Sequence, residues 1–339
     1  MKKRVSSMIS LIVGLGIFGI FLYRVGPEAI TRIIENIDFF YLTLYFILTT
    51  SIFFVLTLRW KIILEAYDKK ISFFKLLRQI IASYAVAYVT PSVRLGGEPL
   101  RVYMLKKEAG VDYKTGSTTI IIDKFVEFLG TIIFGVIGLA ILLTLPISLT
   151  LKILLACLII GAGVFISSFY YFSIKGKGTF TRPFNLLRLY KFKRIKKFHY
   201  TLKDIEEKLE DFFKNHKKDF ILSMFAYLIQ GIIMIIEMKV LFLVFGYNAN
   251  IVEIILSLTI LGLVNFIPVP AGLGFLEAGQ SGLFSILKGE GSIGFALSLM
   301  IRIRNIIFVA IGFSLISHFS TEQVKQRIKK HKNIKKQDK

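Results

Sequence analysis

The chain has 339 residues, 54% of them hydrophobic and 14% aromatic, and its apolar residues arrive in long unbroken runs, which excludes a set of soluble domains and makes this a polytopic membrane protein. Its 44 Lys and Arg against 22 Asp and Glu give a net charge of +22, and for a membrane protein the partner this implies is anionic headgroups, not nucleic acid. The single cysteine, Cys157, lies in an apolar run, and His199, His216, His318 and His331 have no ligand spacing, so no disulfide framework, metal site or cofactor is expected.

A hydrocarbon core about 30 Å thick needs roughly 20 apolar residues in a helix rising ~1.5 Å per residue. Residues 5–23 follow the basic start MKKR and read as a retained signal anchor, because no small-residue cleavage site follows them. Gly14, Gly16 and Gly19 spell G-x-G-x-x-G there, but without a βαβ unit they serve helix packing and not a dinucleotide. Residues 39–58 form the second span. Residues 79–105, QIIASYAVAYVTPSVRLGGEPLRVYML, are interrupted by Pro91, Gly96 and Gly97 into halves too short to cross singly. Residues 128–151, with a break at Pro146, and 153–174 come next. A basic loop at 175–218 contains residues 199–214, where Leu202, Ile205, Leu209 and Phe212 recur near helical spacing, as in an amphipathic helix on the cytoplasmic leaflet. Residues 220–245 span again, with Glu237 and Lys239 near the outer end expected to snorkel. Residues 251–287 are broken by Pro268, Pro270, Gly272 and Gly274, and a new helix begins around Phe275. Residues 293–319 make the last span, and 321–339 form a basic tail.

Basic residues that flank spans stay on the cytoplasmic side. Residues 1–4, 59–78, 101–114, 175–218 and 325–339 hold 35 of the 44 Lys and Arg, so all five segments and both termini belong inside, while 24–38, 145–150 and 246–250 belong outside. That assignment works only if 79–105 enters and leaves from the cytoplasm and 251–287 from the outer face. The expected fold is an all-α polytopic protein of the cell membrane, a single domain over 1–320. It has about six full transmembrane helices and two broken re-entrant hairpins of opposite orientation, as in an inverted pseudo-repeat.

Non-helical backbone at membrane depth is tolerated only where protein covers it or a wet cavity meets it, and matching breaks in two halves point to a transporter's binding site. The bland alternative is that Pro and Gly merely kink packed helices. Ionisable groups beside the breaks are the site candidates. In the first hairpin Arg94, Glu98 and Arg101 bracket Gly96 and Gly97; Glu98 and Arg101 lie one turn apart and can pair, and arginine suits bidentate phosphate binding. Asp123 and Glu127, within IIDKFVEFLG, share a helix face and either carry protons or a cation, or pair with Arg94 or Arg101. In the second hairpin Gly272 and Gly274 precede a helix with Glu277 in its first turn. Arg302 and Arg304 are two residues apart, so only one of them faces Glu277 or a substrate phosphate.

The segment TPSVRLGGEPLRVYML resembles the P…GG-x-x-x-R-x-x-x-L element, and FIPVPAGLGFLEAG the P-x-G-x-G-x-x-E element, of the lysylphosphatidylglycerol synthase transmembrane-region family, also called flippase-like or UPF0104 membrane proteins. LRWKIIL, IIDKFVEFLG and the Arg302 to Arg304 region extend the resemblance to nearly the whole chain. By motif it places Gly96, Gly97, Arg101, Asp123, Gly272, Gly274 and Glu277 on family positions, although PSVRLGG stands where many relatives have a more glycine-rich approach. Fused members carry a separate aminoacyl-transferase domain, which is not expected here. The resemblance implies a flippase or scramblase that moves an anionic phospholipid or a polyprenyl-phosphate-linked lipid between leaflets. Arg94, Gly96, Gly97, Glu98, Arg101, Gly272, Gly274 and Glu277 would then form the lipid-phosphate site, with Arg101 and one of Arg302 or Arg304 as the anion contacts. No nucleotide-binding motif is present, so an uphill step would draw on an ion gradient through Asp123 or Glu127. Membrane lipids are the expected partners, with a second copy or a lipid-modifying enzyme beside them. Two other classes fit the same residues: a membrane-embedded enzyme using the carboxylates as acid and base on a lipid-linked phosphate or sugar, and a non-catalytic partner protein acting through its basic loop and tail.

Overall fold

Apolar segments deprived of water must satisfy their peptide groups internally, and every regular element among the described residues is helical. The computed structural model describes residues 37–92, 95–144, 148–176, 178–182, 193–265, 267–289 and 291–337. The expected span at 5–23 with Gly14, Gly16 and Gly19, the candidate Arg94, and Pro146 lie outside the described residues.

Helix α1, Phe39–Glu65, starts where the Asp38 carboxylate accepts the Phe40 and Tyr41 amides. Helix α2, Phe73–Val89, leads through the first break into α3, Glu98–Ala109. Helices α4, Tyr113–Thr144, and α5, Leu149–Ile174, follow, then α6, Lys193–Asn215, and α7, Lys217–Val244. Helix α8, Ile251–Val264, opens with a reciprocal cap between Asn250 and Glu253. The second break contains a short 3-10 turn, Pro270–Gly272, before α9, Phe275–Lys288, and α10, Gly291–Gln337. Among the described residues, four helical stretches are long and apolar enough to cross a membrane: α1, Lys152–Ile174 within α5, α7, and Gly291–Glu322 within α10. Helices α8 and α9 have 14 residues each. At ~1.5 Å per residue each reaches about 21 Å, short of a bilayer core.

Helix α1 packs along α7, and α10 along both α2 and α9. Glycines set these distances: a Cβ on Gly312 would lie 2.6 Å from the Ile81 carbonyl oxygen of α2, and one on Gly294 would lie 2.1 Å from the Gln280 carbonyl oxygen of α9. One apolar cluster joins Tyr45, Phe242, Phe284 and Leu297; another joins Trp60, Leu76, Leu105 and Phe308. The 3-10 turn of the second break rests against α2, the helix that leads into the first break.

Several boundaries depart from the sequence reading: α4 runs from Tyr113 to Thr144 where 128–151 was expected, and α5 begins at Leu149, ahead of the expected 153. Helix α2 begins at Phe73, ahead of the expected 79. Helix α10 runs on through the basic tail to Gln337, because no Gly or Pro follows Gly312 and the tail is rich in good helix formers. The amphipathic helix starts earlier, at Lys193. Its apolar stripe of Ile205, Leu209, Phe212 and Phe213 packs on Ile63, Ile122, Phe125 and Ile166 of the protein itself.

Candidate functional site: buried ion pairs beside two helix breaks

The first break depends on close approach. A Cβ on Gly97 would fall 2.0 Å from the Ser83 carbonyl oxygen, and one on Gly96 would fall 1.9 Å from Thr90 Oγ1. Glycine therefore lets the start of α3 press on α2, which carries Arg101, one turn into α3, to the protein interior. There Arg101 Nη1 reaches Asp123 Oδ2 at 3.0 Å and Glu98 Oε2 at 3.3 Å. The other Asp123 oxygen accepts Arg59 Nε at 2.7 Å, and Arg59 Nη1 donates to Gln230 Oε1 at 3.2 Å. Lys124 Nζ bridges Glu98 Oε1 at 3.0 Å and Glu127 Oε2 at 2.9 Å. The Arg101 guanidinium lies over the Trp60 ring, 3.8 Å from its centroid, while Trp60 donates to Thr119 Oγ1. Helices α1, α3, α4 and α7 are thus tied at one point.

Three cations, Arg59, Arg101 and Lys124, face three carboxylates, Glu98, Asp123 and Glu127. Formal neutrality is what lets six charges share a desolvated site. The cluster is graded: Glu127, Lys124 and Glu98 side chains are 33%, 19% and 15% exposed, whereas Asp123 and Arg59 are 2% and 0% exposed. One end is open and the other sealed.

The second break depends on backbone conformation. Ala271, Gly272 and Gly274 have φ of 57°, 60° and 78°, the left-handed region that glycine adopts freely and alanine does not. Arg302 of α10 holds this turn. Its Nη1 and Nη2 donate to the carbonyls of Ala271 at 3.1 Å and Gly272 at 3.2 Å, while its Nε and Nη2 fork onto the Glu277 carboxylate, the second contact at 2.7 Å. Glu277 is fully buried, so this pair is closed.

A third buried pair stands apart from both breaks. Arg304 Nη1 meets Glu237 Oε1 at 2.7 Å, and that oxygen also accepts Thr49 Oγ1 of α1. The remaining edge of Arg304 donates to Asn305 Oδ1, which also accepts the Tyr84 hydroxyl of α2 at 2.8 Å.

The structure therefore gathers Gly96, Gly97, Glu98, Arg101, Asp123 and Glu127 at one break, and Gly272, Gly274, Glu277 and Arg302 at the other. Arg304 points elsewhere, as its two-residue offset from Arg302 requires. Two side chains depart from the sequence reading. Arg59 was expected among the cytoplasmic flanking charges, yet it is buried on Asp123. The signal for it was the LRW step, an arginine beside a tryptophan before the apolar run has ended. Glu237 was expected to snorkel and is instead buried against Arg304, whereas Lys239 does reach the polar turn, donating to Asn248 and the Ala249 carbonyl.

A bundle of apolar helices with interrupted members and buried ion pairs is an integral, multi-pass membrane protein. The chain belongs to the family described as the lysylphosphatidylglycerol synthase TM region, whose sequence profile matches residues 7–312. It is 26% identical to a UPF0104 membrane protein of Methanothermobacter thermautotrophicus, over 83% of this chain and 84% of that protein. It is 22% identical to UPF0104 membrane proteins of Pyrococcus horikoshii, over 86% and 91% of the two chains, and of Methanocaldococcus jannaschii, over 90% and 92%. No solved structure matches the chain.

Proposed function

We propose that this protein moves an anionic lipid between the leaflets of the cell membrane, with the headgroup passing between the two breaks. The observation that carries this reading is that each break is followed by a buried charge whose partner sits on the next long helix: Arg101 with Asp123, and Glu277 with Arg302. Charges and open backbone at membrane depth are costly even when paired, and such groups are by default markers of a passage or a binding site. The family's name points to membrane lipid as the material.

In this reading there are about six full crossings, both termini are cytoplasmic, and the hairpins at 79–105 and 251–287 dip inward from opposite faces. The short α3, α8 and α9 support that topology. The substrate is a phospholipid, aminoacylated or otherwise anionic, or a polyprenyl-phosphate-linked lipid. Its acyl chains stay in the bilayer, and rocking of one half against the other carries the headgroup across. Arg302, saturated by Glu277 and two carbonyls, maintains the shape of the second break. Asp123 is shared by two guanidiniums, so the ion-coupling role falls to Glu127, the most exposed carboxylate of the first cluster.

Leaflet-resolved transport in proteoliposomes tests the proposal. Purified protein should accelerate exchange of a labelled anionic phospholipid, and Arg101→Ala should abolish that acceleration. Absence of protein-dependent exchange for every anionic lipid tried would overturn it, and product formation in detergent without a sealed membrane would favour an embedded enzyme.

A further inference from the structure

The first cluster contains an anomaly that ion pairing does not explain. Arg101 spends Nη1 on Asp123 and Glu98, yet its Nε and Nη2, the two donors along one edge of the guanidinium, are buried with no hydrogen-bond acceptor. Arg59 repeats the pattern: Nε and Nη1 are occupied, while Nη2 is buried without an acceptor, the nearest Glu127 oxygen lying 3.7 Å away. Stacking on Trp60 covers the face of the Arg101 plane but cannot satisfy N–H groups that point within it. A buried donor left unmade carries its full desolvation penalty. Three such donors on two guanidiniums that share one carboxylate amount to an unmet demand for oxygen.

We infer that Arg101 and Arg59 form a socket for a phosphate oxyanion, with the Nε–Nη2 edge of Arg101 as its two-pronged floor. This deepens the transport reading above and rests on it for the source of the ligand, the phosphodiester of a lipid headgroup. The Nε–Nη2 edge of a guanidinium matches the spacing of two phosphate oxygens, a geometry that lysine does not reproduce. Asp123 is a positioning residue, since it holds one guanidinium on each of its oxygens. The way in runs past Glu127, Lys124 and Glu98, the exposed end of the cluster, where Lys124 supplies a cation. Because the cluster is neutral as it stands, the negative charge of Glu98 on Nη1 opposes an anion arriving at the Nε–Nη2 edge of the same guanidinium.

Trp60 is the sole tryptophan of the chain, so its emission reports on the Arg101 stack directly. The full chain in detergent is titrated with short-chain phosphatidylglycerol, inorganic phosphate, and short-chain diacylglycerol as the phosphate-free control. The expected result is a saturable change with phosphatidylglycerol and none with diacylglycerol. Arg101→Lys, which keeps the charge and loses the fork, should weaken binding by about tenfold or more. Glu98→Gln, which removes an opposing negative charge from the same guanidinium, should tighten binding about threefold. Equal affinity for inorganic phosphate keeps the socket but assigns it to free phosphate. An equal response to diacylglycerol, an Arg101→Lys affinity within about twofold of the parent, or unchanged or weaker binding in Glu98→Gln each overturns the inference. Transport measured alongside separates the two claims. Binding through the Arg101 fork without transport sinks the transport reading alone, whereas transport that persists in Arg101→Lys sinks the socket alone.

Discussion

The two helix breaks use one plan with the charges exchanged. In the first, a cation on the returning helix, Arg101, meets an anion 22 residues further on, Asp123; in the second, an anion, Glu277, meets a cation 25 residues further on, Arg302. They differ in how completely the arginine is used. Arg302 spends its donors on one carboxylate and two turn carbonyls and is sealed with its partner. Arg101 shares its carboxylates with two other cations, retains unmatched donors, and belongs to a cluster open at one end. A saturated pair fixes a backbone shape, while an unsaturated one at a graded boundary is suited to exchanging partners. The same architecture thus supplies a saturated brace at one break and an unsaturated, partly exposed cluster at the other.

The largest expected effect is on the brace. Glu277→Ala strands the Arg302 guanidinium in the interior and should cost about 3–5 kcal/mol of stability, read from unfolding of the purified protein in detergent. The matching change at the open cluster, Glu98→Ala, should cost about 1 kcal/mol or less, because Lys124 and Arg101 keep other carboxylates. Equal losses at the two positions would erase the distinction. Next in size are the glycines, which separate approach from conformation. Gly97→Ala and Gly272→Ala should each destabilise by about 1–3 kcal/mol. Asparagine, which tolerates the left-handed region, should recover part of the loss at Gly272, where a Cβ also meets the Val264 side chain at 2.5 Å and that side chain can shift, and none at Gly97, where the obstacle is the Ser83 carbonyl. Recovery at Gly97 would refute a role based on close packing. The smallest structural effect belongs to Glu127→Gln, under about 1 kcal/mol at a side chain one-third exposed. In vesicles with an imposed pH gradient this variant should keep equilibrative lipid exchange and lose accumulation. Retained accumulation would remove Glu127 from coupling.

Much of this contrast is legible along the chain, because it is local. Pro268, Pro270 and Gly274 end one helix and start another at Phe275, as their backbone restrictions require. Glu98 and Arg101 sit one turn apart on any helix, and Arg302 and Arg304 diverge on any helix. Arg59 and Glu237 were misread for a common reason. A charge near the end of an apolar run is assigned to water by default, and only its partner's position can reverse that. Those partners, Asp123 and Arg304, lie 64 and 67 residues away.

The amino-acid order by itself determined that the chain spans a membrane, where its helices break, and which charges lie beside the breaks, since hydropathy, proline and glycine restrictions and helical spacing act over a few residues. Only the tertiary structure decided which charge neutralises which, which carbonyls Arg302 holds, and which guanidinium edges stay unfilled. Those outcomes follow from how four helices are brought to one point, and hydrogen bonding at about 3 Å discriminates between arrangements that leave hydropathy and spacing unchanged.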